Sequence, residues 1–243
     1  HHEQTATMAM QTYYRSSGRL CAALLTTGGG VANGVTGVVS AWADSIPGLV
    51  IAGNEHSKHT SNDNPLRMWG IQGYDSVAMM EKVAKYSVRV TDPCQALFEL
   101  EKASKISLEN RPGPVWIEIP MDIQSSKLPV GNLKRYSSKI SAAFEPTPDE
   151  ISSVVEALKK SERPLLWLGH GIRLSGAISQ LQVLLEQLDI PALVSWAGID
   201  MIDSNHPRIL GRAGVYGQRA ANFTLQNCDY LLAIGTRLAI PQV

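Results

Sequence analysis

Net charge, cysteine and long apolar runs are all scarce in this sequence. Its 243 residues contain 22 Lys and Arg against 22 Asp and Glu, so the formal net charge is zero. A neutral chain has no overall field that would attract nucleic acid or an anionic membrane surface. No apolar run reaches the roughly 18 residues that a membrane-spanning helix needs. We therefore expect no nucleic acid and no membrane among the partners.

The few cysteines exclude two further classes. Cys21, Cys94 and Cys228 lie far apart and show no C-x-x-C spacing, which argues against a disulfide framework and against a zinc site. This usage fits a reducing compartment, so we expect a cytoplasmic protein. His56 and His59 stand three residues apart, but without a cysteine or a third histidine nearby they favour a polar loop over a metal site.

What the sequence does contain is an alternation of short apolar runs with helical patterns. Hydrophobic residues make up 44% and charged residues 18% of the chain, as is usual for globular α/β proteins. In the first half the pattern predicts strands at 20–26, 48–52, 85–90 and 115–119, each buried on both faces as in a parallel sheet. A helix at 5–17 is predicted before the first strand, and helices at 32–43, 76–83 and 93–109 are predicted between the strands.

The regular pattern stops between residues 125 and 146, which we interpret as a linker. A second domain then opens at Thr147, the predicted cap of a helix that runs to about residue 161. We therefore predict two doubly wound, mostly parallel-sheet α/β domains, residues 1–124 and 147–243. The remaining elements predicted for the second domain are strands 164–168, 191–195 and 230–234 and helices 177–188 and 220–226.

The order of motifs at the start of the chain is distinctive. His-His-Glu-Gln at residues 1–4 precedes a helix and a strand, and Thr-Thr-Gly-Gly-Gly-Val-Ala-Asn follows at residues 26–33. A helix of small residues then ends at Asp-Ser-Ile-Pro, residues 44–47, and Arg-Pro-Gly-Pro-Val stands at residues 111–115. This order resembles the pyrimidine-binding domain of thiamine diphosphate (ThDP) enzymes, most closely the acetolactate synthase group.

The resemblance implies a catalytic role for Glu3. In the family this carboxyl group hydrogen-bonds N1′ of the aminopyrimidine and favours the imino tautomer that takes the C2 proton, while the cofactor carries out the chemistry. We expect Glu3 to lie in an apolar pocket where burial raises its pKa and keeps a proton available. A surface carboxylate near the start of the chain is the alternative.

The same resemblance assigns the glycine-rich loop to the cofactor. Gly28, Gly29 and Gly30 would lie beside the thiazolium ring and the substrate, with Asn33 at the start of the next helix. Relatives usually carry proline where this chain has Gly29, so we expect a looser loop here. A simple tight turn is the alternative interpretation.

A second motif is altered. Relatives carry Phe-Gln-Glu-x-Asp-Ile-Val, and residues 71–77 of this chain read Ile-Gln-Gly-Tyr-Asp-Ser-Val. Gln72 and Asp75 are kept, whereas Ile71 and Gly73 replace the aromatic residue and the carboxylate. The resemblance places Gln72 near the cofactor.

Two basic residues are candidates for contact with the substrate. By resemblance Lys85 lies at a substrate entrance, and Arg67 could meet a substrate carboxylate. A lysine at a strand end and an arginine on a surface loop are the alternative interpretations.

The second domain resembles the middle domain of the same enzymes, which binds FAD in acetolactate synthases. Three of its loops match the flavin-contacting loops in position, but residues 238–242 replace the Phe-Asp-Asp-Arg of relatives, and other ThDP enzymes keep this domain without a flavin. The sequence therefore leaves FAD binding open, and a turn residue is the alternative for His170. The candidate flavin residues are Gly169, His170, Gly171, Gly211, Gly214, Gly235 and Arg237.

The resemblance also implies a reaction. A 2-oxo acid, pyruvate in the first place, would be decarboxylated, and the acyl carbanion would add to a carbonyl acceptor. Simple decarboxylation or two-carbon transfer to a sugar-like ketone is the alternative within the enzyme class. A non-catalytic flavin- or nucleotide-binding partner is the alternative outside it.

Family members are homodimers or homotetramers in which two subunits share each active site. Their Mg²⁺ ligands belong to a diphosphate-binding domain that these residues do not include. We therefore expect a pyrimidine-binding domain without its opening strands, a middle domain without its last elements, and no activity from these 243 residues alone.

Overall fold

The computed structural model describes residues 2–60, 64–128, 131, 133–137 and 145–239. The chain divides into two compact units, His1–Ala143 and Phe144–Val243. Each unit contains a sheet whose paired strands are parallel, in agreement with the predicted α/β class. The predicted linker, 125–146, lies partly outside the described residues.

The first unit is built on a four-stranded sheet in the order β1-β2-β4-β3. Its strands are β1 (Ala22–Leu25), β2 (Gly48–Asn54), β3 (Ser87–Arg89) and β4 (Pro114–Pro120). Its helices are α1 (Glu3–Ser17), α2 (Gly29–Asn33), α3 (Val35–Ala43), α4 (Ser76–Met80), α5 (Ala96–Leu108) and α6 (Met121–Gln124), with 3₁₀ turns at Ser57–His59 and Pro93–Gln95.

The central strands bury apolar side chains on both faces, whereas the edge strand β1 buries only one face. Val50 of β2 and Trp116 of β4 are fully buried in the cluster beneath α1 and α3, and Ile117 is fully buried on the α5 side. Leu24 of β1 is 75% exposed. The expectation that all four strands are buried on both faces is therefore wrong for β1, because no described element covers that face at the edge of the sheet.

Two predicted helices are interrupted. The helix predicted at 32–43 starts earlier, and Gly34 separates α2 from α3. The helix predicted at 93–109 begins as a 3₁₀ turn capped by Asp92, whose carboxylate accepts from the Cys94 amide at 2.9 Å. Helix α4 ends at Met80, short of the predicted residue 83.

A buried ion pair fastens the segment between β2 and α4 to the sheet. Glu118 of β4 is fully buried and pairs with the Arg89 guanidinium of β3. Arg89 also donates to Asp75 at 2.8 Å and lies 4.6 Å from the centre of the Trp69 ring. A buried charge needs such partners because isolation from water is costly. The network fixes the two ends of the stretch that carries Gln72.

The second unit has a three-stranded sheet in the order β6-β5-β7. Helix α7 (Pro148–Lys160) begins with the predicted Thr147 cap, which forms a capping box with Glu150. The strands are β5 (Pro164–Leu168), β6 (Ala192–Val194) and β7 (Tyr230–Ile234), and the helices are α7 (Pro148–Lys160), α8 (Gly171–Leu174), α9 (Ile178–Gln187) and α10 (Arg219–Asn227), with a 3₁₀ turn at Trp196–Gly198.

The core of the second unit lies on both faces of its sheet. Leu166 and Leu168 pack towards α9, while Leu165 and Trp167 pack towards α10, and all four side chains are fully buried. The bounds of β5 and β7 agree with the predicted ones, whereas the single turn of α8 was not predicted. Within the described part of the chain, no helix has both the length and the apolar character needed to cross a membrane.

Candidate functional site

The start of α1 and the end of α2 meet at a carboxylate. Asn33 Nδ2 donates to Glu3 Oε2 at 2.9 Å and lies 3.4 Å from both ring nitrogens of His2. Glu3 is half-buried. The Asn33 hydrogen bond, followed by a backbone hydrogen bond, lowers the pKa of the Glu3 carboxyl group. The expectation that burial raises this pKa is wrong for the described residues, since the effect of burial is smaller than that of these hydrogen bonds.

Close packing of α1 against α3 brings Glu3 to this position. Thr7 of α1 donates its hydroxyl to the Gly34 carbonyl at 3.0 Å, and Gln11 donates to the Gly37 carbonyl at 2.8 Å. A Cβ atom on Gly37 would overlap the Thr7 hydroxyl. The small residue at this crossing is therefore what permits the two helices to approach.

The glycines after β1 are required by their neighbours. Gly28 has a φ of 66°, a backbone conformation that favours glycine, and a Cβ atom there would lie 2.9 Å from the Gln72 side chain. A Cβ atom on Gly30 would lie 2.5 Å from Thr26 Cγ2 and 3.0 Å from Glu3 Oε1. Both positions thus require glycine because neighbouring side chains pack closely against them.

The predicted loose loop at Gly29 is not observed. Gly29 is the first residue of α2, and a Cβ atom there would meet nothing within 4 Å. The space is open because the residue faces away from the packed side of the helix. The neighbouring Thr27 hydroxyl is buried and has no hydrogen-bond partner among the described residues.

The segment that carries Gln72 lies against the glycine loop. Tyr74 donates its hydroxyl to the Gly28 carbonyl at 3.1 Å, and burial raises the pKa of this tyrosine. Gln72 itself is exposed. The structure therefore brings together five of the predicted site residues: Glu3, Gly28, Gly30, Asn33 and Gln72.

The two candidate substrate residues are placed differently. Arg67 is exposed, in the same segment as Gln72. Lys85 lies at the opposite end of the sheet, because its amide donates to Pro114, the first residue of β4, at 2.8 Å. Its ammonium group donates to the Glu109 carbonyl at 2.5 Å, and burial lowers its pKa. The structure does not bring Lys85 to the other site residues.

Three residues of the site were missed from the sequence. Besides Tyr74, Asn54 donates its side-chain amide to the Tyr74 carbonyl at 3.0 Å, and the Glu55 carboxylate accepts from the Gln72 amide at 3.1 Å. A general signal for the last two exists, because ligands of α/β sheets gather beyond the carboxyl ends of the strands, and β2 ends at Asn54.

A metal site is not supported among the described residues. His56 and His59 have ring centres 6.4 Å apart, and His56 lies 3.5 Å from the Asp122 carboxylate. No group of three or more His, Cys, Asp or Glu side chains that could hold a metal ion occurs in the described part of the chain.

In the second unit, the candidate flavin glycines pack against one another. The Gly171 amide donates to the Gly235 carbonyl at 2.8 Å. A Cβ atom on Gly169 would overlap that carbonyl oxygen, and one on Gly171 would lie 2.8 Å from Gly235 Cα. The loops after β5 and β7 therefore need these glycines for contact between their backbones.

Of the other candidate flavin residues, His170 follows β5 and Arg237 follows β7, whereas Gly211 and Gly214 lie in the segment between β6 and α10. Gly211 and Gly214 have φ values of 108° and 115°, and a Cβ atom on Gly211 would overlap the Gln218 side chain. His170 is half-buried before α8, and Arg237 is exposed.

Comparison with known proteins identifies both units. Residues 1–85 match the family model of the thiamine pyrophosphate enzyme N-terminal TPP binding domain. Residues 151–241 match the model of the thiamine pyrophosphate enzyme central domain. These two matches follow the order in which the two units occur along the chain.

Curated relatives extend over nearly the whole chain. A probable acetolactate synthase large subunit of Methanococcus aeolicus is 32% identical over 242 residues, 98% of this chain and 39% of the relative. The acetolactate synthase isozyme 2 large subunit of Escherichia coli K12 is 31% identical over 240 residues, which are 97% of this chain and 41% of the relative. The chain thus spans about two fifths of the length of these relatives. It belongs to the thiamine pyrophosphate enzymes and resembles acetolactate synthase large subunits.

Proposed function

We propose that the protein to which this chain belongs is a ThDP-dependent enzyme of the acetolactate synthase type. It decarboxylates a 2-oxo acid, with pyruvate as the first candidate, and transfers the acyl unit to a carbonyl acceptor. The observation that carries the proposal is the Glu3 carboxylate, held by Asn33 beside a glycine-rich strand end. The names of the relatives favour this activity over simple decarboxylation and over a non-catalytic partner.

The geometry around Glu3 fits an aminopyrimidine ring. Asn33 occupies Oε2 at 2.9 Å, and because residue 30 is glycine, no Cβ atom crowds Oε1 at 3.0 Å. A ring nitrogen could therefore approach Oε1 and share a proton with it. The Thr27 hydroxyl, buried without a partner among the described residues, provides another polar contact in the same loop.

When bound, ThDP would supply a nucleophilic thiazolium carbon and a cationic ring that takes up the electron pair released by decarboxylation. Glu3 would hold a proton at Oε1 for N1′ of the cofactor, and Asn33 would orient the carboxyl group. A ring that covers Glu3 removes it from water, which favours the protonated form. This opposes the lowering of the Glu3 pKa by Asn33.

The proposal has finer parts that concern the rest of the enzyme. Mg²⁺ would be held by a diphosphate-binding domain outside these residues, in a cytoplasmic homodimer or homotetramer. FAD would lie at the loops after β5 and β7, and its test is the visible absorption spectrum of the purified protein. A flavin spectrum supports this part, whereas an active but colourless preparation contradicts it.

The experiment that tests the function is CO₂ release from pyruvate by the whole protein with ThDP and Mg²⁺. We compare the unaltered protein with Glu3→Gln, whose amide cannot relay the N1′ proton, and with Glu81→Gln as a matched control on an exposed glutamate. Glu3→Gln should be at least about 100-fold slower, within the range of general acid–base contributions, and the control should retain full activity.

Three outcomes separate the alternatives. An active Glu3→Gln variant would remove Glu3 from the mechanism. An unaltered protein that is silent on pyruvate but active on another 2-oxo acid would change the substrate and leave the chemistry. Silence on every 2-oxo acid would favour the non-catalytic partner.

A further inference from the structure

A tight turn at residues 69–73 holds Gln72 beside the glycine loop, and the Glu55 carboxylate accepts hydrogen bonds from the backbone of this turn. Trp69 and Gly73 form an antiparallel bridge in which each amide donates to the other carbonyl, at 2.6 and 2.8 Å. Glu55 Oε1 accepts from the Ile71 amide at 3.2 Å and from the Gln72 amide at 3.1 Å. A single charged oxygen thus satisfies two successive backbone donors, which are among the stronger hydrogen bonds in proteins.

The turn is shaped around this carboxylate. Gly70 has a φ of 57°, and a Cβ atom there would lie 2.6 Å from Glu55 Oε2. A Cβ atom on Gly73 would lie 2.5 Å from Glu55 Cγ. The carboxylate at this turn comes from Glu55, which directly follows β2.

The same turn is tied directly to the candidate site. Tyr74, the residue that follows it, donates to the Gly28 carbonyl at 3.1 Å. The Gln72 side chain lies so close to Gly28 that a Cβ atom there would be 2.9 Å from its Cγ and Cδ. Any movement of the turn therefore moves Gln72 relative to the glycine loop.

We propose that Glu55 is a positioning residue, which fixes the turn at residues 69–73 and thereby holds Gln72 beside the bound cofactor. The proposal rests on the proposed function. Glu55 acts through Gln72, because its carboxylate binds the backbone of the turn. Its removal should loosen the turn first and impair the reaction as a consequence.

The first test measures the turn itself in the whole protein. Amide hydrogen exchange of peptides spanning residues 69–74 is compared among the unaltered protein, Glu55→Ala and Glu55→Gln. Glu55→Ala should exchange at least about tenfold faster, as expected for the loss of charge-assisted hydrogen bonds. Glu55→Gln retains an amide oxygen and should restore most of the protection. Glu81→Ala, a control at an exposed glutamate, should change nothing.

The second test asks whether the effect passes through Gln72. The values of kcat and KM for pyruvate, and the Kd of ThDP by calorimetry, are measured for Glu55→Ala, Gln72→Ala and the double variant. The double variant should be no worse than Gln72→Ala alone, because coupled residues are non-additive. Glu55→Gln should stay within about twofold of the unaltered protein in these measurements.

Each result decides the matter. Unchanged exchange in Glu55→Ala would overturn the proposal, and so would faster exchange with unchanged kcat, KM and Kd, since Glu55 would then be structural only. Additive losses in the double variant would also overturn it. A protein that binds ThDP but lacks activity on 2-oxo acids would refute the proposed reaction, while the Kd values would still decide the role of Glu55. Absence of ThDP binding would refute both, even if the exchange result stands.

Discussion

The two units place glycines at the ends of their parallel strands for different reasons. In the first unit, Cβ atoms on Gly28 and Gly30 would crowd the side chains of Gln72 and Glu3. In the second unit, a Cβ atom on Gly169 would overlap the backbone of Gly235. A glycine at a strand end can therefore make room for the side chains of a polar site or for the backbone of another loop. The matching position of a glycine in a family motif does not show which of the two it does.

The largest expected effect is a difference in the free energy of unfolding between two glycine-to-alanine variants, one in each unit. Gly169→Ala should destabilise the second unit by about 1–3 kcal/mol, the usual cost of overpacking a rigid contact, because the new Cβ atom overlaps the Gly235 carbonyl. Gly29→Ala should be neutral or stabilising by up to about 1 kcal/mol, since nothing lies within 4 Å. Urea unfolding of the two variants measures the difference.

Equal stabilities would show that the loops after β5 and β7 separate easily, and the contrast between the two units would then be lost. A Gly29→Ala variant that unfolds early would instead show that the loop after β1 is as crowded as its counterpart.

The next effect concerns the charge state of Glu3. Asn33→Ala removes the hydrogen bond that contributes most to lowering the pKa of this carboxyl group, so the pKa should rise. A pH titration of ¹³C-labelled glutamate by NMR, without ThDP, measures it. Glu101 is an internal reference, because Arg135 lowers its pKa independently. A Glu3 titration that does not change would mean that Asn33 does not hold the carboxylate in solution.

The smallest expected effect is the dependence of stability on pH at Asp229, a carboxylate outside the candidate site. Asp229 accepts from the amides of Glu162 and Arg163, both at 2.9 Å, and from the Ser161 hydroxyl. These contacts, the Ser161 hydrogen bond first, lower its pKa from 3.8 to about 2. Since the folded pKa is the lower one, the stabilisation is present above about pH 4 and is lost as pH falls towards 2.

Asp229→Asn should therefore reduce the unfolding temperature at pH 6 and flatten its dependence on pH between about 4 and 2. Thermal unfolding of the variant and the unaltered protein over this range provides the measurement. Parallel pH profiles would show that Asp229 contributes nothing through its charge.

Local patterns in the sequence predicted much of the fold. The bounds of β5 and β7 were predicted because short apolar runs are bounded there by proline, aspartate and glycine. The Thr147 cap followed from the Thr-Pro-Asp-Glu pattern, which satisfies the first amides of a helix. Such features depend on a few neighbouring residues, so the sequence displays them directly.

Features that depend on packing were not predictable in the same way. The environment of Glu3 is set by Asn33, which reaches it because α1 and α3 cross closely. Lys85 matched a motif, yet the register of β3 against β4 carries it to the far end of the sheet. Glu55 meets the turn only through tertiary structure, since its partners lie 16 and 17 residues further along the chain.

The overlap between Glu55 and position 73 has an evolutionary consequence. A side chain at position 73 would begin 2.5 Å from Glu55 Cγ, so the two positions cannot both carry a carboxylate without rebuilding the turn. Substitutions at them are therefore epistatic: glutamate becomes acceptable at 73 only after the side chain at 55 has become smaller.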